Sequence, residues 1–350
     1  MIVGGDFLER IWKDVIKASV IGFVVPGILL TLVVTGKRGT SAQETTAPST
    51  QVDTTTLPPT SHTQPSTTTQ PTQPEPEPQP QVLTIQVLVD GQMETMALEE
   101  YVVGVVLAEV PSSFEPEALK AQAVAARTYA LFVCGKGRHQ GGVCTSYSCC
   151  QSYISREAYF DRGGNAQRWD KVYDAVQATA GQVLMYAQKL ACTTYFSCSG
   201  GQTEDAVAVW GSDIPYLQTV ESPGEEFCHA YTDRVIFSAE TFQQALCITL
   251  PGEPESWFGE VTYTNGGGVD TLQIGGVDYR GTTLRMLLGL RSTMFTVSVT
   301  AEGICIETMG YGHRVGMSQY GAQAMALAGE SYAAILHHYY LGTELTDYVP

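Results

Sequence analysis

The sequence predicts an α+β fold, mixed helices and antiparallel strands around one main core, and three observations carry that expectation. Residues 114–133, FEPEALKAQAVAARTYALFV, place alanines at interior positions and Pro116 in the first turn, which marks a strong helix. Residues 261–281, VTYTNGGGVDTLQIGGVDYRG, are punctuated by Asn and Gly turns between β-prone runs, the pattern of short antiparallel strands. Strands and helices then follow one another without the regular alternation that a parallel βαβ sheet needs.

Taken in order, residues 1–17 read as a short cytoplasmic segment. Ala18 to Thr35, ASVIGFVVPGILLTLVVT, is free of charge over a length that just spans a hydrocarbon core. Pro26 is tolerated in a spanning helix and costly in a soluble one. The expectation is an uncleaved transmembrane anchor. A cleaved signal is the alternative, although Thr35-Gly36-Lys37-Arg38 makes a poor cleavage site. Arg10, Lys13 and Lys17 before the span, against Lys37 and Arg38 after it, favour a single-pass protein at the cell membrane with its C-terminal domain extracytoplasmic. Residues 36–81 are dominated by Thr, Pro, Gln and Ser and lack apolar side chains to bury, so a disordered, partly stiff linker is expected.

Residues 82–350 form the globular part, long enough for a real core. It opens with the strand-like VLTIQVLVD; Ser112 and Ser113 stand as caps for the strong helix, and SQYGAQAMALAGE (318–330) reads as a second helix after a glycine-rich loop. The 36 acidic against 19 basic side chains give a net charge of -17. No basic run exceeds Lys37-Arg38, which excludes a nucleic-acid face and a polybasic membrane patch.

Glu109 is the candidate catalytic carboxylate. It ends the apolar run VVLAE just before the strong helix, and burial against Val105, Val106, Leu107 and Val110 would favour its protonated form, as a general acid requires. A carboxylate serving the exposed amides of a helix start fits the same position. Glu115 and Glu117 read as solvated. Arg127, amid alanines, is either a buried ion-pair partner or a ligand contact.

Nine cysteines are many, and His139, Cys144, Cys149 and Cys150 lie within one short glycine-containing stretch. Four N/S ligands at that spacing suit a closed, structural zinc site. Disulfide bonding is the alternative, made awkward by vicinal Cys149 and Cys150. Cys134 could displace one of these ligands. It otherwise joins Cys192, Cys198, Cys228, Cys247 and Cys305 in an even set whose pairing the sequence leaves open. Cys198 with His313 is the best candidate for a nucleophilic pair, yet nothing nearby marks a lowered thiol pKa. Trp210 reads as core.

Four segments in order, LEEYVVGVVLAEVPSSFEPEALKAQAVAARTYAL, the Cys/His stretch, YFSCSGGQTEDAVAVWG and GYGHRVGMSQYGAQAMA, resemble the family of stage II sporulation protein D and the amidase enhancers. The resemblance implies a peptidoglycan lytic transglycosylase that cuts peptide-stripped glycan strands to 1,6-anhydro-muramic acid ends, in septal wall remodelling and engulfment during sporulation. Glu109 of the Ala-Glu-x-Pro motif would be its acid and base. Gln122 and Arg127, from the helix, and Ser199, Gly200, Gln319 and Tyr320, from the two glycine loops, would lie along the groove. The family's clostridial members imply a structural zinc in the Cys/His loop, although here Cys149 stands where a second His is expected and the first gap is one residue shorter. Arg314 replaces the glycine usual after His313, a bulky side chain with consequences for the groove. Implied partners are peptidoglycan strands, the membrane through the N-terminal helix, a cell-wall amidase or endopeptidase and a membrane scaffold protein. A non-catalytic glycan-binding enhancer of an amidase is the other activity this resemblance allows, and a metal-dependent amidase a weaker one.

Overall fold

The structure, a computed structural model, describes residues 82–349. Strands β1 (Thr84–Val89) and β2 (Gln92–Ala97) form an antiparallel hairpin whose turn, Asp90-Gly91, has positive φ at both positions (48° and 84°), the backbone such a tight connection requires. Helix α1 (Leu98–Glu109) follows directly, then α2 (Pro116–Gly135). β3 (Val143–Cys144) pairs with β1 in parallel. α3 (Arg156–Asp161) and α4 (Ala166–Gln177) precede β4 (Gln182–Tyr186), β5 (Lys189–Leu190) and β6 (Tyr195–Phe196), and α5 (Ala206–Trp210) ends this half.

The strand-rich part runs through β7 (Thr232–Phe237), α6 (Ala239–Leu246), β8 (Phe258–Tyr263), β9 (Val269–Ile274), β10 (Val277–Arg280), α7 (Gly281–Leu287), β11 (Phe295–Thr300) and β12 (Gly303–Met309). The chain then returns to the first half with β13 (Met317–Ser318), α8 (Gln319–Leu327), α9 (Tyr332–Tyr339) and β14 (Glu344–Asp347). The sheets order as β2-β1-β3, β10-β9-β8, β11-β12-β7, β13-β6 and β14-β4-β5. The expected α+β class holds, with antiparallel pairing wherever strands exceed two residues.

Packing departs from a single core. α2 presents Ala123 and Ala126 to Tyr101, Val102 and Val106 of α1, and Ala121, Val124 and Ala125 to Leu184, Met317, Leu336 and Tyr340, so one small-residue helix serves two apolar clusters. A third cluster, with Phe242, Trp257, Ile274, Leu284, Ile304 and Ile306, lies wholly within the strand-rich part.

Two local expectations are corrected. The valine-rich run before Glu109 is itself helix α1; Tyr101 to Val106 are all buried, and packing on every side overrides the β preference of valine. Ser112 and Ser113 do not cap α2. The cap position is Glu115, whose side chain makes no capping bond and whose amide donates instead to Gln323 Oε1 of α8 at 2.6 Å.

The single-pass membrane placement is also corrected. Among the described residues no helix is long and apolar enough to cross a membrane. The span assigned to 18–35 and the linker at 36–81 lie outside the described residues.

Candidate functional site

Glu109 is the last residue of α1, not a residue ahead of a helix. The negative end of the helix dipole lies there, which disfavours an ionised carboxylate and removes the helix-start role. Burial holds its carboxyl above the usual range, against the opposing pull of Ser152. Its one backbone donor is the Ser152 amide, 2.6 Å from Oε1. Gly104 makes that contact possible. Residues 151–154 lie flat on α1, with the Ile154 amide donating to Gly104 O at 3.2 Å, and a Cβ at position 104 would stand 2.6 Å from Ile154 O.

The carboxyl opens on a cavity of about 550 Å³ whose lining includes Tyr129, Cys150, Tyr195, Arg285, Tyr311 and Gln319. Parallel pairing of β6 with β13 sets Tyr195 and Phe196 beside Met317 and Ser318, and so delivers Gln319 to the cavity. That pairing needs Gly316, at φ 84°, because any Cβ there would run into Thr194. Ser318 caps α8 by accepting from the Gly321 amide at 3.1 Å, as its sequence context predicts. Tyr195 Oη donates to Gln151 Oε1 at 2.8 Å, and Gln151 Nε2 donates to Tyr101 Oη at 2.9 Å, a buried chain that fixes one wall.

The other residues predicted for the groove divide. Gln319 lines the cavity, with a buried Nε2 that finds no partner among the described residues. Arg127 does not: it is fully buried, with Nε 2.9 Å from Glu99 Oε1 and Nη2 2.5 Å from Glu99 Oε2, and it also donates to the carbonyls of Gln182 and Val176. It is the ion-pair partner that ties α1 to β4. Gln122 is buried at 1% exposure with neither amide atom partnered among the described residues, so it has no surface to offer a sugar. Ser199 is buried and bound to Glu225 through both its amide (2.5 Å) and its hydroxyl (3.1 Å). Gly200 is buried against Met294 and Met309 at φ 83°, a backbone constraint rather than a binding edge. Tyr320 faces away from the cavity, packed on Phe114 and Phe227, with its hydroxyl 3.4 Å from His229 Nδ1.

Arg314 does not fill the groove. Its backbone takes the left-handed φ of 64° that a glycine would supply. Its side chain turns into the protein, where it donates to the carbonyls of Ser199 (2.6 Å), Gln202 (2.8 Å) and Gly266 (2.5 Å) and to Glu204 Oε1 (3.1 Å). One arginine thereby fastens two glycine loops.

His139, Cys144, Cys149 and Cys150 converge, with one ligand atom from each lying within 4.8 Å of all the others. His139 Nε2 stands 3.3 Å from Cys149 Sγ. Ligands of a tetrahedral zinc are separated by about 3.8 Å, so the four fit the ion after a small contraction. The loop reaches this shape through consecutive left-handed residues, His139 at φ 45° and Gln140 at φ 59°, between Gly137 and Gly141. Burial and the neighbouring sulfurs push the Cys150 thiol up to about 12, a penalty that a cation relieves. Cys134 is no part of this group, and among the described residues no disulfide forms. Cys150 also lines the Glu109 cavity, so the cluster braces one wall of that cavity.

Cys198 and His313 are not a nucleophilic pair. Burial and neighbouring Cys228 push the Cys198 thiol well up, while burial and then Arg285 push His313 down to about 4. Sequence reasoning missed Ser152, Tyr195, Arg285 and Tyr311 as parts of the site, although Tyr195 and Tyr311 lie in the YFSCSGG and GYGH strings. The core expectation for Trp210 is corrected: it is 43% exposed, with its ring centroid 5.3 Å from that of His313.

A stage II sporulation protein family model matches residues 90–186. Stage II sporulation protein D of Bacillus amyloliquefaciens is 40% identical over 262 residues, 73% of this chain and 76% of that protein. Its counterpart in Bacillus subtilis (strain 168) is 39% identical over the same shares. The amidase enhancer of Bacillus subtilis (strain 168) is 30% identical over 303 residues, 70% of this chain and 40% of that protein.

Proposed function

The chain belongs to the stage II sporulation protein D family, and from that premise we propose that it is a peptidoglycan lytic transglycosylase acting on peptide-stripped glycan strands, with Glu109 as its acid and base. One observation carries the reading: among the residues that line the 550 Å³ cavity Glu109 is the single carboxyl, and burial raises its affinity for a proton. Ordinary glycoside hydrolysis employs two carboxylates about 5–9.5 Å apart. A transglycosylase needs one. Protonated Glu109 gives its proton to the glycosidic oxygen as the bond to C1 breaks; the resulting carboxylate takes the proton of the muramic acid 6-hydroxyl as that oxygen bonds to C1. The leaving strand keeps the first proton, Glu109 recovers the second, and a 1,6-anhydro ring forms without consuming water. The Ser152 amide orients the carboxyl throughout, and Gln319 and Tyr195 border the space the sugar would take. Septal wall remodelling and engulfment are the setting this reading implies, with a cell-wall amidase preparing the strands.

A zinc ion held by His139, Cys144, Cys149 and Cys150 belongs to the same reading as a structural group. Four protein ligands leave it no open position, so it supplies rigidity and not chemistry. Metal analysis of purified protein is expected to find one zinc per chain, and chelation to lower the melting temperature; a metal-free protein unmoved by chelator would end this part of the proposal.

The test of the activity is digestion of peptide-stripped glycan by the purified chain and by Glu109→Gln, with mass analysis of the ends. Anhydro ends from the parent alone are expected. Retained glycan binding without cleavage would favour the second reading, an amidase-enhancing module, which the likeness to the amidase enhancer supports.

A further inference from the structure

Two arginines lie near Tyr311, and they differ in how their charge is met. Arg291 stacks over the ring at 5.7 Å and pairs with Asp233 at 3.3 Å. Arg285, on α7, lines the Glu109 cavity and has no carboxylate within ion-pairing distance among the described residues. Its Nε donates to Arg291 O at 3.2 Å, which fixes the plane of the guanidinium. Its two terminal nitrogens meet no protein acceptor among the described residues. Arg285 is the one Lys or Arg among the residues that line this cavity. His313 beside it is held neutral and cannot share the role. A half-buried guanidinium free of protein anions among the described residues, on a side chain that lines a ligand-sized space, suits a planar anion: two parallel N–H bonds match a carboxylate.

We infer that Arg285 reads a free carboxylate on the sugar strand, namely the lactyl arm of a muramic acid that carries no peptide. This rests on the glycan-strand reading above and deepens it. A peptide joined through that arm converts the carboxylate to an amide, which removes the charge and adds bulk where the fork closes. Selection for peptide-free strands then resides in one side chain on the strand-rich part, apart from the carboxyl that performs the cleavage.

The test is binding, not turnover. A peptide-free muramic acid tetrasaccharide and the same compound with its carboxylates methyl-esterified are titrated into the parent chain, Arg285→Gln, Arg285→Lys and Glu109→Gln, followed by calorimetry. The parent is expected to bind the acid at least tenfold more tightly than the ester, with a preference that shrinks as salt is raised. Arg285→Gln should bind both alike, near the parent's affinity for the ester, and Arg285→Lys should keep part of the preference. Glu109→Gln should keep it in full, whether or not the parent cleaves glycan, so failure of the activity and failure of this inference read differently. A preference retained in Arg285→Gln, or absent or salt-independent in the parent, overturns the assignment.

Discussion

Glu109 is half-buried and Glu204 fully buried; desolvation raises the proton affinity of both carboxyls, and they differ in what faces them. Glu204 Oε1 accepts from the Arg314 guanidinium (3.1 Å), the Thr264 hydroxyl (2.8 Å) and the Gly268 amide (3.1 Å), beside a void of about 10 Å³. Glu109 has one backbone donor and a cavity of about 550 Å³. Desolvation alone therefore does not mark a catalytic acid; the same shift arises in a sealed ion pair that locks two loops. Access to a ligand-sized space separates them. Arg127 and Arg285 repeat the contrast among the cations, one spent on Glu99, the other in the cavity without a carboxylate partner among the described residues.

Substitutions at the two carboxyls sharpen that comparison. The largest effect is expected for Glu109→Gln, a loss of about 10²- to 10⁴-fold in glycan cleavage, the range for removing a general acid and base, with no loss of stability. Cleavage within tenfold of the parent would return Glu109 to the same class as Glu204. Next is Glu204→Ala, which leaves Arg314 buried without its partner and should cost about 3–5 kcal/mol in urea unfolding, the range for breaking one side of a buried pair. If it costs under about 1 kcal/mol, the three carbonyls around Arg314 suffice on their own.

A smaller effect concerns pH. Because the folded state holds the Glu109 proton above the ordinary carboxylate range, that contribution to stability is complete at low pH, below the unfolded value, and is lost as pH rises through the folded one. Glu109→Gln should thus match the parent's stability at pH 3 and exceed it at pH 8; the reverse order would show a carboxyl stabilised as the anion. Glycan cleavage should fall over the same rise in pH as the acid form is depleted. The smallest effect is expected for Tyr320→Phe, within about 0.5 kcal/mol in stability and without change in glycan affinity, since its ring packs away from the cavity. A marked loss of affinity would restore it to the groove.

Much was legible from local pattern. Helix α2, the hairpins of 258–280, helix α8 with its Ser318 cap, and the convergence of His139, Cys144, Cys149 and Cys150 all follow from propensity, turn chemistry or ligand spacing, which act over a few residues. Glu109 was legible as a residue, through its motif and apolar neighbours, but not as a helix terminus. Whether a valine-rich run coils or extends depends on what packs around it, and α2 and α4 decide that here.

The groove residues show where such reasoning ends. Arg127, from the strong helix, and Ser199 and Gly200, from a glycine loop, were expected along the groove, yet each is consumed by a partner distant in sequence: Glu99, Glu225, and Met294 with Met309. Arg285 sits in an unremarkable run, RGTTLRML, and enters the site only because the strand-rich part returns it to the Glu109 cavity. The sequence by itself determined most of the element types and singled out the Cys/His cluster and Glu109 as candidates, because local sterics and side-chain chemistry set those. Tertiary structure alone decided which buried charges are sealed and which face open space. Sealing is a property of long-range packing, and no spacing along the chain encodes it.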